Sequence, residues 1–226
     1  MAETKRRREV PRRGTPADLL VVGLGNPGPE YTRTRHNVGF EVIDLLAQRH
    51  HARLKKGKEK ALVDEVRVGS WRVALAEPQT FMNLSGESVA PLVRRYGIED
   101  LRRLVIVHDE LDLPLGRLKV KGGGGLAGHN GLRSIKAHLH DGEFVRIRIG
   151  VGKPPHKDLG VDHVLKKVAK ADRRVLDEMI VVAADAAEHL LAHDLDETMA
   201  RFNATDLSGE GVGEASVAQD EGEVRP

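Results

Sequence analysis

The sequence contains no cysteine among its 226 residues, and only 3% of its residues are aromatic. The absence of cysteine excludes a thiol nucleophile, a zinc site with cysteine ligands and any disulfide bond. The scarcity of aromatic side chains argues against an RNA surface that stacks bases on exposed rings. No apolar run approaches the roughly 18–20 residues that a membrane-spanning helix needs. We therefore predict a cytoplasmic protein without a membrane segment.

Charge is unevenly distributed, although the formal net charge is only +2. Residues 1–17 carry six basic and two acidic side chains, whereas residues 207–226 carry five acidic and one basic. Both ends are polar and lack hydrophobic periodicity, which predicts a disordered basic arm and a disordered acidic tail. Residues 18–206 between them are long enough for one domain, since domains typically run to about 100–200 residues.

Short apolar runs alternate with amphipathic segments along this central region. Leu19–Gly23 and Leu104–Val107 are continuous apolar runs, typical of strands that are buried on both faces. Residues 61–76 read as a hairpin, and further strands are predicted near 118–121 and 145–149. Helices are predicted from Val38, after Ser85 as an N-cap, from Asn130 to about His140, over about 171–193 and near 195–203. The sequence therefore predicts a single-domain α/β fold, a three-layer sandwich in which helices flank a twisted mixed sheet.

Polar side chains cluster in segments that follow the predicted strands, where an open α/β sheet binds its ligands. They comprise two His-Asn pairs, two further asparagines and an aspartate: His36-Asn37, His129-Asn130, Asn26, Asn83 and Asp109. A histidine can accept a proton from water, a carboxylate can orient that histidine, and amides can donate to a carbonyl oxygen. The set predicts hydrolysis of a neutral carbonyl compound, with His36 as the base and Asp109 as its partner, either directly or through water.

The segment Gly23–Gly28 also matches the G-x-G-x-x-G pattern of dinucleotide-binding proteins. Pro27 removes a backbone donor from the turn, and a polar loop delays the helix that would hold a pyrophosphate. The nearest acidic residues at a suitable distance, Glu41 and Asp44, fall within a helical pattern instead of closing a strand. Nucleotide binding is therefore the weaker hypothesis.

A metal site and a serine triad are two further alternatives. Adjacent residues of the run 108–110 would point to alternate faces of an extended segment, which makes a poor ligand set. His36, Asp109 and His129 could converge on a cation, but the neighbouring amide side chains are not typical zinc ligands. No G-x-S-x-G sequence marks a serine nucleophile. We therefore expect neither a metal nor another cofactor.

Four motifs, in order and spacing, are similar to those of the bacterial peptidyl-tRNA hydrolase family. They are VVGLGNPGPEYTRTRHNVGF, PQTFMNLSG, HDELDLPLG and GGGGLAGHNGLRSI, and the similarity runs from about Leu19 to Asn203. The resemblance implies hydrolysis of the ester that joins a peptide to the 3′ ribose of tRNA. It also implies a monomeric, cofactor-free α/β enzyme whose partner is peptidyl-tRNA.

The resemblance further implies roles for individual residues. His36 would be the catalytic base and Asp109 its carboxylate partner. The substrate-contacting positions would be Asn26, Tyr31, Met82, Asn83, His129 and Asn130. The basic surface for tRNA would comprise Lys119, Lys121, Arg133, Arg146 and Arg148. Leu126 and Ala127 depart from the expected glycine or small polar residues, so we expect a narrower or drier path beside His129.

An RNA-binding module that has lost catalysis is the main competing function. It would keep the basic surface and the fold, but it has no evident need for both His36 and Asp109. The presence of both residues therefore favours an enzyme.

Overall fold

Strands and helices alternate along most of the chain, as the sequence predicts. The computed structural model describes residues 16–154, 156 and 159–208. Its strands are β1 (Leu19–Gly23), β2 (Lys55–Lys56), β3 (Ala61–Val68), β4 (Trp71–Pro78), β5 (Leu104–Glu110), β6 (Leu118–Gly122) and β7 (Val145–Gly150). Its helices are α1 (Val38–Arg49), α2 (Gly86–Arg95), α3 (Asn130–Leu139), α4 (Gly160–Leu165), α5 (Lys170–His189) and α6 (Leu195–Phe202).

The strands form one mixed sheet in the order β2-β3-β4-β1-β5-β7-β6. The central strands β4, β1, β5 and β7 are parallel to one another. The strands β2 and β3 at one edge and β6 at the other pair antiparallel to their neighbours. The prediction of a mixed sheet is confirmed, and the carboxyl ends of the parallel strands meet at one edge.

Helices cover both faces of the sheet, because side chains alternate between the two faces along every strand. Val21 and Val107 belong to a core with α1 and α5, whereas Leu20 and Ile106 belong to a second core with α2 and α3. Both cores consist mainly of Val, Leu, Ile and Ala. The predicted three-layer sandwich is therefore confirmed.

Two glycines bring the start of α1 into contact with the central strands. A Cβ atom on Gly23 would lie 2.0 Å from the Gly39 carbonyl oxygen. A Cβ on Gly39 would lie 2.5 Å from the carbonyl oxygen of Val107, in β5. Such distances exclude any side chain at either position. The first glycine of the nucleotide-like pattern therefore serves close helix–strand packing.

Some local predictions were wrong. The short helix α4 and the two-residue strand β2 were not predicted. Ser85 precedes α2 but does not cap it through its side chain. Its hydroxyl donates instead to the Met82 carbonyl oxygen at 2.7 Å, which closes the preceding turn.

The predicted tails lie mostly outside the described residues, but their inner ends belong to the fold. The Ala17 amide donates to the Tyr96 carbonyl oxygen at 2.9 Å, and the Leu207 amide donates to that of Gly116 at 2.8 Å. Across the described ranges, we find no helix that is both long and apolar enough to cross a membrane.

A pair of carboxyl groups, the buried Glu77 and the exposed Asp44, joins β4 to α1. Glu77 is 5% exposed and lies on the same strand face as Val73 and Leu75, which contact the α1 core. Burial, together with the charge of Asp44 and a hydrogen bond to it, raises the pKa of Glu77 to about 8. Glu77 is therefore protonated in the folded protein at neutral pH and shares its proton with Asp44.

We predict that Glu77→Gln stabilises the protein at high pH. Between the ordinary carboxyl pKa of 4.5 and about 8, the folded state holds a proton on Glu77 that the unfolded state lacks. Stability of the wild type therefore falls as pH rises through this window. The amide keeps a donor for Asp44 at every pH, so the gain in Tm should grow from near zero at pH 5 to several degrees, roughly 3 °C or more, at pH 9.

Thermal unfolding followed by circular dichroism at both pH values tests this prediction. Glu65→Gln is the matched control, since Glu65 lies in the adjacent strand and forms a more exposed ion pair with Arg72. That variant should gain nothing at high pH. A gain for Glu77→Gln that is the same at pH 5 and pH 9 would contradict the assignment of a shared proton.

Candidate active site

A cavity of about 460 Å³ lies beyond the carboxyl ends of the parallel strands. Its polar lining comes from β5, from the loops after β1 and β4, and from the start of α3. These polar residues are Asn26, His36, Asn83, Asp109, Glu110, His129 and Asn130, and Met82 lies beside them. All the predicted catalytic and substrate-contacting residues except Tyr31 are therefore brought to one cavity.

His36 and Asp109 are in direct contact, which settles the alternative that the sequence left open. His36 lies in a 3-10 turn, Arg35–Asn37, that leads into α1. Its Nδ1 lies 2.9 Å from Asp109 Oδ1, and the two side chains are 14% and 3% exposed. With the Nδ1 proton donated to the carboxylate, Nε2 of the neutral ring carries a lone pair that can take a proton.

The charges of this pair stabilise each other. Burial lowers the pKa of His36, but the charge of Asp109 and the hydrogen bond to it outweigh burial, so the pKa lies above 6.5. Burial by itself raises the pKa of Asp109; the charge of His36 and the bonds from His129 and His36 hold it far below its usual range. Asp109 therefore remains a carboxylate at every physiological pH.

Asn26 is held in one orientation by three hydrogen bonds. Its backbone amide and carbonyl pair with the side chain of Asn37, both at 2.9 Å. Its Oδ1 accepts from the Met82 amide at 2.7 Å. Because that amide can only donate, the oxygen must face it, and the Nδ2 group is left to donate to a ligand. Asn37 is a functional residue whose role the sequence did not specify, although it belongs to the first His-Asn pair.

Asn83 and Asn130 are exposed at the cavity wall and have no side-chain bond to other described residues. Tyr31, in the turn Pro29–Tyr31, lies on the same loop as Asn26 but does not line the cavity. These amide side chains offer both donors and acceptors to a ligand in the cavity.

Another part of the cavity wall is apolar, and the sequence did not predict it. Phe81 and Leu111 contribute from the strand ends, and α4 contributes Val161, Val164 and Leu165. Phe81 and Val161 are 55% and 65% exposed, which is unusual for large apolar side chains. Only the folded arrangement reveals this wall, because α4 is distant in sequence from the strands it faces.

The predicted basic surface contains exposed cations and cations that are engaged within the protein. Lys119, Lys121 and Arg133 are exposed, and Arg133 also donates to the Gly128 carbonyl oxygen at 3.4 Å. Arg148 pairs with Glu110 at 2.9 Å. Arg146 is 2% exposed, and its guanidinium donates to the carbonyl oxygens of Gly123, Gly124 and Gly125. Arg146 and Arg148 share a sheet face with the two lysines but are engaged within the protein.

The two unusual residues of the glycine-rich loop have different surroundings. Leu126 packs against the core of α2 and α3, whereas Ala127 lines the cavity next to His129. Ala127 adopts a φ of 47°, in the left-handed region that favours glycine. Of the two, Ala127 alone borders the path to the site.

Comparisons with known proteins agree on one family. The family profile described as Peptidyl-tRNA hydrolase matches residues 20–210. A peptidyl-tRNA hydrolase of Frankia alni is 48% identical over 185 residues, covering 82% of this chain and 93% of that protein. One from Moorella thermoacetica is 47% identical over 186 residues, covering 82% and 97%. A crystal structure of peptidyl-tRNA hydrolase from Acinetobacter baumannii has a TM-score of 0.80 at 37% identity, covering 86% and 99%.

We predict that Asp109→Asn lowers the pKa of His36 below 6.5. The substitution removes the charge that raises this pKa and leaves the burial that lowers it. A titration of the histidine ring signals by NMR measures the change. Asp172→Asn is the control, because Asp172 pairs with the neighbouring Arg35 and not with His36. An unchanged His36 titration in Asp109→Asn would show that the carboxylate does not set the basicity of this ring.

Proposed function

The chain belongs to the peptidyl-tRNA hydrolase family, and we propose that His36 is the general base of its reaction. The chain is an enzyme that hydrolyses peptidyl-tRNA, which releases the tRNA for further use in translation. The observation that supports the role of His36 is its 2.9 Å contact with Asp109, which leaves Nε2 able to accept a proton. A histidine with a pKa near neutrality is well matched to this task.

The reaction proceeds by direct attack of water. His36 Nε2 takes a proton as the water oxygen bonds to the ester carbonyl carbon, and Asp109 stabilises the resulting imidazolium. The carbonyl oxygen becomes anionic and accepts from Asn26 Nδ2, a kind of contact worth about 3–4 kcal/mol in known enzymes. The bond to the ribose 3′ oxygen then breaks, and the imidazolium returns its proton to that oxygen.

The other cavity residues hold the substrate in place. Asn83 and Asn130 bind the peptide backbone and the water, and Met82 borders the peptide beside them. The backbone amide of buried Met82 donates to Asn26 Oδ1, so Met82 and the Asn26 side chain hold each other in place. Tyr31 lies farther out on the same loop and contacts the tRNA 3′ end.

Binding to tRNA uses the exposed cations near the cavity. Lys119 and Lys121 lie on the outer strand β6, and Arg133 lies on α3, whose first residue is Asn130. These three side chains neutralise phosphates, which releases counterions and makes binding depend on salt. Arg146 and Arg148 support this surface: Arg146 holds the glycine-rich loop, and Arg148 balances Glu110. The enzyme acts as a cytoplasmic monomer without a cofactor.

We predict that His36→Ala abolishes turnover but not binding. Loss of a general base lowers kcat by about 10²–10⁴-fold or more, whereas phosphate contacts elsewhere are retained. Release of a labelled N-acetyl-aminoacyl group from tRNA, with metals chelated, measures turnover, and a filter assay measures affinity.

His50→Ala is the matched control, since His50 pairs with Glu188 away from the cavity. It should retain wild-type activity. A wild type that binds tRNA without releasing the aminoacyl group would favour the competing RNA-binding module and exclude His36 as a base.

We predict that Lys119→Ala with Lys121→Ala weakens substrate binding without slowing the chemical step. KM should rise several-fold while kcat is retained. The slope of log KM against log salt should fall by roughly 0.7–0.9 for each phosphate that the variant no longer neutralises. Initial rates at several salt concentrations measure both quantities.

Lys55→Ala with Lys56→Ala removes the same charge from the exposed strand β2, at the opposite edge of the sheet. That control variant should keep the wild-type salt dependence. Equal effects in the two double variants would mean that net charge, and not a surface on β6, governs binding.

A further inference from the structure

His129 uses both of its ring nitrogens within the protein. Its Nδ1 accepts from the Leu132 amide at 3.4 Å and so caps the first turn of α3. Its Nε2 lies 3.2 Å from Asp109 Oδ1, and the side chain is 8% exposed. A residue so engaged has little capacity left to bind substrate.

These contacts determine the tautomer of the ring. A backbone amide can only donate, so Nδ1 must carry the lone pair. The single proton of the neutral ring is therefore on Nε2, which donates it to Asp109. Asp109 Oδ1 consequently accepts from two histidines, at 2.9 Å from His36 and 3.2 Å from His129.

His108 supports this arrangement without adding charge. Its Nδ1 donates to the Asp109 carbonyl oxygen at 2.7 Å, and its ring meets that of His129 edge to face at 4.7 Å. Burial, with the nearby His129, holds the pKa of His108 well below 6.5, so it stays neutral. The His129 ring is thus held between its cap, a neutral ring and a carboxylate.

We propose that His129 is a positioning residue, which fixes the Asp109 carboxylate and, by donating to the same oxygen, moderates its pull on the His36 proton. The proposal deepens the function given above and rests on it. A carboxylate that bonds to His36 alone would hold the imidazolium more tightly and leave less free base at neutral pH. Because His129 donates to the same oxygen, the Asp109 carboxylate holds the proton of His36 less tightly, and more of the His36 ring is unprotonated at neutral pH.

A metal centre is the rival interpretation of the same three side chains. Their ligand atoms lie within 4.8 Å of one another, and two histidines with a carboxylate suit several divalent metals. However, a metal on Nε2 of a neutral imidazole requires the proton on Nδ1. That proton would point at the Leu132 amide hydrogen. The helix cap therefore favours a hydrogen-bonded centre.

The other charged groups around His36 either bind to partners other than His36 or are exposed to solvent. Arg35 pairs with Asp172 of α5, and Glu110 of β5 pairs with Arg148. On α4, which packs against the His36 turn, Asp162 is exposed and His163 contacts the Val151 carbonyl oxygen. Asp109 and His129 are thus the partners that set the proton affinity of His36.

Two substitutions separate the two contacts of His129. In His129→Asn, the amide oxygen can replace Nδ1 as the cap but no group reaches Asp109. In His129→Gln, the longer amide can replace Nε2 as the donor to Asp109. We expect the His36 titration, followed by NMR without substrate, to move to higher pH in the asparagine variant and to stay near the wild type in the glutamine variant.

The acid limb of the kcat/KM profile should move in the same way, because His36 must be unprotonated to act. A purely structural role for His129 would lower the rate in both variants without moving the limb. In the wild type, ¹⁵N-resolved NMR should show the proton of His129 on Nε2. Either a proton on Nδ1, or equal His36 titrations in the two variants, would overturn the proposal.

The NMR measurements need no turnover. A wild type that shows them but releases no aminoacyl group would refute the proposed catalytic role of His36 and leave the positioning contact standing. If the His36 titration were unchanged in both His129 variants while the wild type hydrolysed its substrate normally, the positioning contact would be refuted and the catalytic role of His36 would stand.

Discussion

The buried negative charge of Asp109 is the constraint on which the rest of the site depends. A carboxylate that is 3% exposed is costly unless opposite charge or donors compensate it. The fold supplies His36 from the start of α1 and His129 from the start of α3, one from each face of the sheet. Gly23 and Gly39 make the first approach possible, since any side chain there would separate α1 from β1 and β5. The position of His36 beside Asp109 therefore depends on the close packing of α1 against the sheet.

The cavity has a rigid polar end and an apolar wall. The polar end is cross-linked: Asn37 fixes the backbone of Asn26, and Asn26 fixes Met82. The apolar wall includes α4, a short helix with the 65% exposed Val161. In the proposed function, the groups that meet the reacting atoms are thus held by hydrogen bonds, while the surface that meets a variable peptide relies on non-directional contacts.

The sequence predicted the features that local patterns encode. Continuous apolar runs identified β1 and β5, and the polar residues at strand ends located the site. It could not predict features that depend on distant contacts. The family resemblance placed Arg146 on a basic surface, yet the glycine-rich loop folds over that side chain and buries it. Similarly, Ser85 has the sequence context of a cap, but the Met82 carbonyl oxygen accepts its hydroxyl hydrogen.

The glycine-rich loop connects the proposed tRNA surface to the proposed catalytic pair. It begins at the end of β6, beside Lys119 and Lys121, and ends at His129, so one short segment joins the basic surface to the donor on Asp109. Arg146 bonds three carbonyl groups of this loop, which limits the conformations open to it. In the proposed function, this loop therefore joins a phosphate bound on β6 to the His36–Asp109 pair. Binding energy from the distant RNA can in this way contribute to orientation at the ester, which a free peptide ester would lack.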